Sequence, residues 1–371
     1  MSYVDALEQI VQTVVVPAVH DTDQNAQFPR TSVDALGKAG LLGLLSSADV
    51  GGMGLGLADA CRVVERIAQD CPSTAMIVTM HYAATALIEK HGPSDIRRAI
   101  AEGRHLTTLA WSETGTRSHF WAPVGTAQAD GAEIVLNGSK SMVTSAQEAD
   151  SYIWSSLPAA AQGASTLWLI DSRLPGLHCP KPFDGLGLRG NASAPIRADS
   201  VRIPAGTMLG GDGSGFDIMI ADALPVFSAL VASSSIGMMD SALQRATTHI
   251  TGNRFAESGS SLADLPTIRA YLARARLRAD QARTLRDDTL AAMSEGRADT
   301  MLRVLEVKAA AAEAALEVTD TAMRICGGAA FRKDVGIERL FRDARAASVM
   351  APTSDVLYEF IGRALCDMPL A

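Results

Sequence analysis

The chain has 371 residues, 47% of them hydrophobic and 20% charged, with a formal net charge of −8; this balance excludes a disordered chain and gives no basic footprint for nucleic acid. The length exceeds one ordinary core, and at roughly 100–200 residues per domain it predicts two or three packed segments. Aromatic residues make up 5% beside 14 methionines, which points to helices packed through small and flexible side chains.

The N-terminal stretch from Met1 to Gln9 is acidic rather than basic, and no run of about 18 uninterrupted apolar residues is found, so a soluble cytoplasmic protein without a membrane span is expected. From Tyr3 to about Gly103 apolar residues recur at helical spacing, as in Val4, Leu7, Ile10, Val11 and Val14. The glycine run Gly51, Gly52, Gly54 and Gly56 precedes a helix through Val63, Val64 and Ile67. No strand comes before it and neither the dinucleotide fingerprint nor the Walker spacing fits, so it reads as a loop-to-helix connection. His81, on the next helix, reads as a core histidine.

At His105 the pattern changes to β-type runs: 106–111, 132–136, 151–156, 165–170 and 196–203, with turns expected at Asp130-Gly131 and Asn137-Gly138. Past Gly215 the chain turns helical again, with Ala-rich segments at 272–293 and 302–323 long enough for bundle packing. The cysteines at 61, 71, 179, 326 and 366 are odd in number and never spaced as a metal-ligand pair, which implies reduced thiols and no metal site.

Four local sequences, in this order along the chain, resemble the acyl-CoA dehydrogenase family of flavoproteins. They are Leu109-Ala110-Trp111-Ser112-Glu113-Thr114-Gly115, Asn137-Gly138-Ser139-Lys140-Ser141-Met142-Val143-Thr144, Gly187-Leu188-Arg189-Gly190-Asn191, and Ile325-Cys326-Gly327-Gly328 with Arg342-Asp343-Ala344-Arg345. The resemblance covers essentially the whole chain and implies an α+β multidomain fold. Its parts are an N-terminal α-helical domain (1–105), a middle antiparallel β-domain (106–214) and a C-terminal four-helix bundle (215–371).

The resemblance further implies an oxidoreductase acting at a CH–CH group of an acyl thioester. It places FAD against Trp111, Ser112, Met142, Thr144, Arg254, Gly327, Gly328, Thr353 and Asp355, and substrate against Ser118, Phe227 and Met350. A flavin site of this kind needs a cation and free amides for a pyrophosphate and a flat apolar wall with donors for the ring. Removing the α-proton of a thioester also needs a positioned base. The family's usual glutamate falls at Ala351, and the other position used in the family falls at Phe227-Ser228, so neither carries a carboxylate. Asp222 and Asp355 lie nearby in sequence and read as helix-capping or solvated groups.

Arg117 and His119, in the cluster Arg-Ser-His-Phe-Trp, remain as polar catalytic candidates, or as members of a solvent-facing loop. Two alternatives stand beside the dehydrogenase. One is a flavin-dependent monooxygenase or oxidase on the same fold, using FAD, or FMN or reduced flavin supplied by a reductase; the other is a non-catalytic flavin-binding assembly partner. An electron-transfer flavoprotein, a flavin reductase or oxygen is the implied redox partner, and a homotetramer or homodimer the implied assembly.

Overall fold

The apolar spacing of the N-terminal hundred residues resolves, in the computed structural model describing residues 2–116, 119–182 and 184–369, into α1 (Tyr3–Ile10), α2 (Val16–Gln24), α3 (Arg30–Lys38), α4 (Leu57–Asp70), α5 (Pro72–His91) and α6 (Ser94–Ala101). Ser2 starts α1 through a capping box, its hydroxyl accepting from the Asp5 amide while the Asp5 carboxylate accepts the Ser2 amide. A π turn at Val11–Val15 joins α1 to α2, and Leu7, Val11 and Val15 are buried along one side. The glycine run precedes α4 as a plain connector.

Among the described residues eight strands follow: β1 (Thr107–Ala110), β2 (Thr126–Asp130), β3 (Glu133–Val143), β4 (Ser151–Ser156), β5 (Thr166–Asp171), β6 (Leu177–His178), β7 (Ala194–Pro204) and β8 (Met208–Leu209). They form two four-stranded sheets, ordered β1-β4-β5-β8 and β2-β3-β7-β6. The middle segment is not wholly antiparallel: β1 pairs with β4 in parallel, Thr107 opposite Ser151 and Ala110 opposite Trp154. The connection between them holds the β2–β3 hairpin, enough chain for the crossover a parallel pair requires. Asn137-Gly138 is not a turn but lies inside β3, at a register shift opposite β7. From Leu136 to Gly138 β3 advances two residues while β7 advances three, from Val201 to Ala198, and the Asn137 Oδ1 accepts the Ser200 amide at 2.8 Å, so the pair faces a bulge in β7 rather than forming a reversal.

Helices resume with α7 (Gly215–Ile218), a π turn (Met219–Ala223), α8 (Leu224–Gly252), α9 (Pro266–Glu295), α10 (Thr300–Cys326), α11 (Ile337–Val349) and α12 (Ser354–Leu365). Four of them share one core, with Ile236, Met239 and Ala246 from α8, Ala275, Ala279 and Ala282 from α9, Val307, Ala311 and Val318 from α10, and Leu340 and Ala344 from α11. The alanines let the backbones approach closely. The stretch Gly215–Gly252 is long and apolar enough by length and composition to cross a membrane, though serines interrupt its apolar run, and 67% of its most apolar window is buried inside the protein, as in a core helix.

The chain divides into two compact units, one of Met1–Val63, Met76–Gly185 and Arg189–Phe227, the other of Val64–Ala75, Leu186–Leu188 and Ser228–Ala371. In the first, His81 on α5 is fully buried. Its Nε2 donates to the Leu42 carbonyl at 3.0 Å and its Nδ1 accepts the Thr107 amide at 3.2 Å, which fixes a neutral tautomer. Burial holds its pKa down to about 4. The unfolded chain takes up this proton near pH 6.5 and the folded chain only near pH 4, so stability falls as pH drops through that window, by roughly 3 kcal/mol. Urea unfolding at pH 7, 5 and 4 should show that loss in the wild type and lack it in His81→Gln, which cannot titrate.

Candidate functional site

In the first unit the site begins where β1 ends. Glu113 and Lys140 form an ion pair of 2.5 Å whose side chains are 1% and 0% exposed. The Lys140 Nζ also donates to the Ser155 carbonyl and hydroxyl, each at 2.8 Å, and lies 4.8 Å over the Trp154 ring. The second Glu113 carboxylate oxygen accepts the amides of Val124 at 2.7 Å and Gly125 at 3.1 Å. Burial pushes Lys140 down to about 8, while the neighbouring carboxylate pulls the other way. Because the Ser141 amide donates to the Ser112 carbonyl at 2.8 Å, this pair locks the exit of β1 to the end of β3.

Four predicted residues meet on that locked backbone. Trp111 is buried, and its indole Nε1 finds no hydrogen-bond acceptor among the described residues. Ser112 is half-buried, Met142 is 56% exposed, and the buried Thr144 hydroxyl meets the Ser193 hydroxyl at 3.2 Å. An aromatic ladder leads outward: Phe120 stacks on Trp111 at 5.9 Å, Trp121 meets Phe120 edge-on at 5.0 Å, and the exposed His119 stacks on Trp121 at 4.7 Å. Arg117 and Ser118 lie outside the described residues. Phe227 is buried near the start of α8.

The second unit carries the remaining candidates. Gly327, at φ 55°, ends α10, and a side chain at Gly327 or Gly328 would meet nothing within 4 Å, so both glycines border open space. Arg254 is exposed and donates to the Gly259 carbonyl at 2.8 Å within its own loop. Among the described residues no hydrogen bond or ring contact joins it to Gly327, Gly328 or Thr353. Thr353 caps α12, its hydroxyl accepting the Val356 amide, and Asp355 is exposed in the first turn of that helix. Met350 and Ala351 are half-buried in the turn before it.

The Arg342-Asp343 signature has a structural use. Asp343 is buried and accepts the Leu188 amide at 2.6 Å, and Arg342 donates to the Leu186 carbonyl at 3.0 Å. A Cβ at Gly187 would fall 2.6 Å from the Arg342 carbonyl oxygen, which is why glycine stands between them.

Asp222 is neither a cap nor a solvated group. Lys90 donates to it at 2.6 Å and His91 at 2.8 Å. Burial raises its pKa, but those two hydrogen bonds and charges outweigh burial and hold the carboxyl below its ordinary value, so it is engaged as an ion-pair anchor and not poised as a base. A cavity of about 530 Å³ lined by His91, His105, Asp150, Asp171, Arg173 and Thr207 adjoins the start of β1 and β4. Trp111 follows the other end of β1, so the cavity is separate from Trp111, Ser112, Met142 and Thr144, while His91 in its lining is the partner of Asp222; nothing in the sequence pattern announced it.

Sequence profiles described as the acyl-CoA dehydrogenase N-terminal, middle and C-terminal domains match residues 2–103, 108–201 and 213–366. The human mitochondrial short-chain specific acyl-CoA dehydrogenase is 30% identical over 347 residues, covering 92% of this chain and 83% of that protein. The cyclohex-1-ene-1-carbonyl-CoA dehydrogenase of Geobacter metallireducens is 25% identical over 373 residues, covering 97% and 96%. Among solved structures, butyryl-CoA dehydrogenase from Megasphaera elsdenii superposes with a TM-score of 0.91 at 22% identity, covering 98% of this chain and 97% of that one, which speaks to the fold alone. With profiles over all three segments and a relative at this identity and coverage, the chain belongs to the acyl-CoA dehydrogenase family of flavin-dependent oxidoreductases.

Proposed function

We propose that this chain binds FAD and acts on a CH–CH group of an acyl thioester with Ala351 standing where the family's usual carboxylate base would be. The observation that carries the flavin part is the buried Trp111 indole N–H, which finds no acceptor among the described residues and lies on the strand exit that continues into Ser112. A buried donor without an acceptor is costly, and a heteroaromatic ring with carbonyl and ring-nitrogen acceptors along one edge would supply the partner. FAD, when bound, supplies a two-electron acceptor for a hydride. Trp111, Ser112, Met142 and Thr144 are assigned to its ring, and Arg254, Gly327, Gly328, Thr353 and Asp355 to the rest of the cofactor. Phe227, Met350 and Ser118 are assigned to the substrate, an acyl-CoA by analogy with the relatives named above, and exposed Phe331, Val349 and Leu365 offer apolar surface for a homotetramer or homodimer.

The test is gel filtration of protein loaded with FAD, followed by anaerobic titration with acyl-CoA thioesters of increasing chain length. Co-eluting visible absorbance that bleaches with one of them is the expected result, and a colourless protein peak sinks the reading. A second reading, oxygen chemistry on the reduced cofactor, is favoured by the missing carboxylate and by the ladder that carries His119. It requires oxygenated product from aerobic turnover with a flavin reductase. Trp111→Phe separates fold from cofactor: it keeps the buried ring and removes the unpaired donor. Thermal stability of the apoprotein should hold or rise, while the FAD dissociation constant, read by fluorescence quenching, rises about tenfold, the worth of one hydrogen bond.

A further inference from the structure

One buried lysine is not used by the roles assigned above. On α10 the residues Val304, Lys308, Ala311 and Ala315 form a buried stripe at helical spacing. Lys308 is fully enclosed. Its Nζ donates to the main-chain carbonyls of Ala347 at 2.9 Å, Met350 at 3.0 Å and Pro352 at 2.7 Å. Burial pulls its pKa down to about 7, and three carbonyl acceptors favour the protonated form, which carries three donors and no acceptor.

All three carbonyls lie at the junction of α11 and α12. Ala347 is in the last turn of α11, where carbonyls lack a helical partner and a cation is favoured by the helix dipole. Met350 and Pro352 flank Ala351, and Thr353 caps the next helix. A methionine of similar length would fill the same space without the desolvation cost of an ammonium. The donors are therefore what the position uses.

We propose that Lys308 is a positioning residue: by holding the carbonyls on both sides of residue 351 it fixes the Met350–Thr353 turn and with it the placement of Ala351 and the Thr353 hydroxyl. The consequence for cofactor and substrate rests on the flavin reading above; the order of the turn does not.

Hydrogen exchange read by mass spectrometry on Lys308→Met and Lys308→Gln, with and without added FAD, tests this. In Lys308→Met, amides over 347–357 should exchange about tenfold faster while those of α9 hold, and FAD should bind about tenfold more weakly. Lys308→Gln keeps two donors and should recover part of both effects. Unchanged exchange over the turn, equal acceleration throughout α9 and α10, or failure of both variants to fold would overturn the proposal, the last two because they make Lys308 a determinant of the whole core. If wild-type protein takes up no FAD, the flavin reading falls, and the exchange data alone still decide the role of Lys308.

Discussion

Lys140→Met is expected to lower the unfolding free energy by about 3–5 kcal/mol, the cost of leaving a buried carboxylate without its counter-ion. The Glu113–Lys140 pair is fully enclosed, so water cannot take over for the missing ammonium, and the Ser155 carbonyl and hydroxyl lose their donor as well. Glu113→Ala should cost a similar amount for a different reason. It leaves a buried cation and also strips the Val124 and Gly125 amides of their acceptor. The double variant Glu113→Gln/Lys140→Met removes both charges while the glutamine keeps an acceptor for those amides, and should lie within about 1–2 kcal/mol of wild type. Urea unfolding of wild type, Lys140→Met, Glu113→Gln and the double variant closes the cycle. Additive losses would mean that the pair is not coupled, against the geometry. Because the pair holds the Trp111–Ser112 backbone, either single variant should also lose FAD at concentrations that saturate the wild type.

Much of this was legible in the chain, and the misses have physical causes. β4 falls where its run of Tyr152, Ile153 and Trp154 between turn residues placed it. The direction of β1 was not readable, since a four-residue buried strand has the same composition whether its neighbour runs with it or against it. Asn137-Gly138 has the composition of a hairpin turn, yet it runs inside β3 opposite a bulge whose extra residue is on β7. The two buried lysines leave a signal in the sequence. Lys140 continues the inward alternation of Ile134 and Leu136, and Lys308 sits on the apolar stripe of α10. A lysine at a position where the period demands an apolar residue calls for a buried partner. For Lys140 that partner is Glu113, a side chain the sequence shows, but for Lys308 the contacts include three backbone carbonyls, which no side-chain pattern can show. The engagement of Asp222 is invisible in the sequence for a different reason: its partners Lys90 and His91 lie 132 and 131 residues away along the chain.

Ala351→Glu is expected to accelerate anaerobic reduction of the FAD-loaded protein by a short-chain acyl-CoA by about 10²–10⁴-fold, the usual worth of a positioned general base. The turn that carries residue 351 is half-buried and braced on both sides through Lys308, so a new side chain there would start from a fixed backbone. A glutamate in that place has an ordinary pKa near 4.3; it would be ionised at neutral pH and the gain should fade as pH is lowered through its titration. Ala351→Gln, of the same size and without a basic oxygen, should show no gain at any pH. Stopped-flow bleaching of the visible band measures all three proteins. Equal rates for glutamate and glutamine would mean that residue 351 does not face the thioester α-carbon. A wild-type rate already as fast as that of Ala351→Glu would show that another group of this chain removes the proton. The intermediate outcome, slow bleaching in wild type and a gain specific to glutamate, identifies the chain as a dehydrogenase scaffold whose proton transfer is limited by one missing carboxylate.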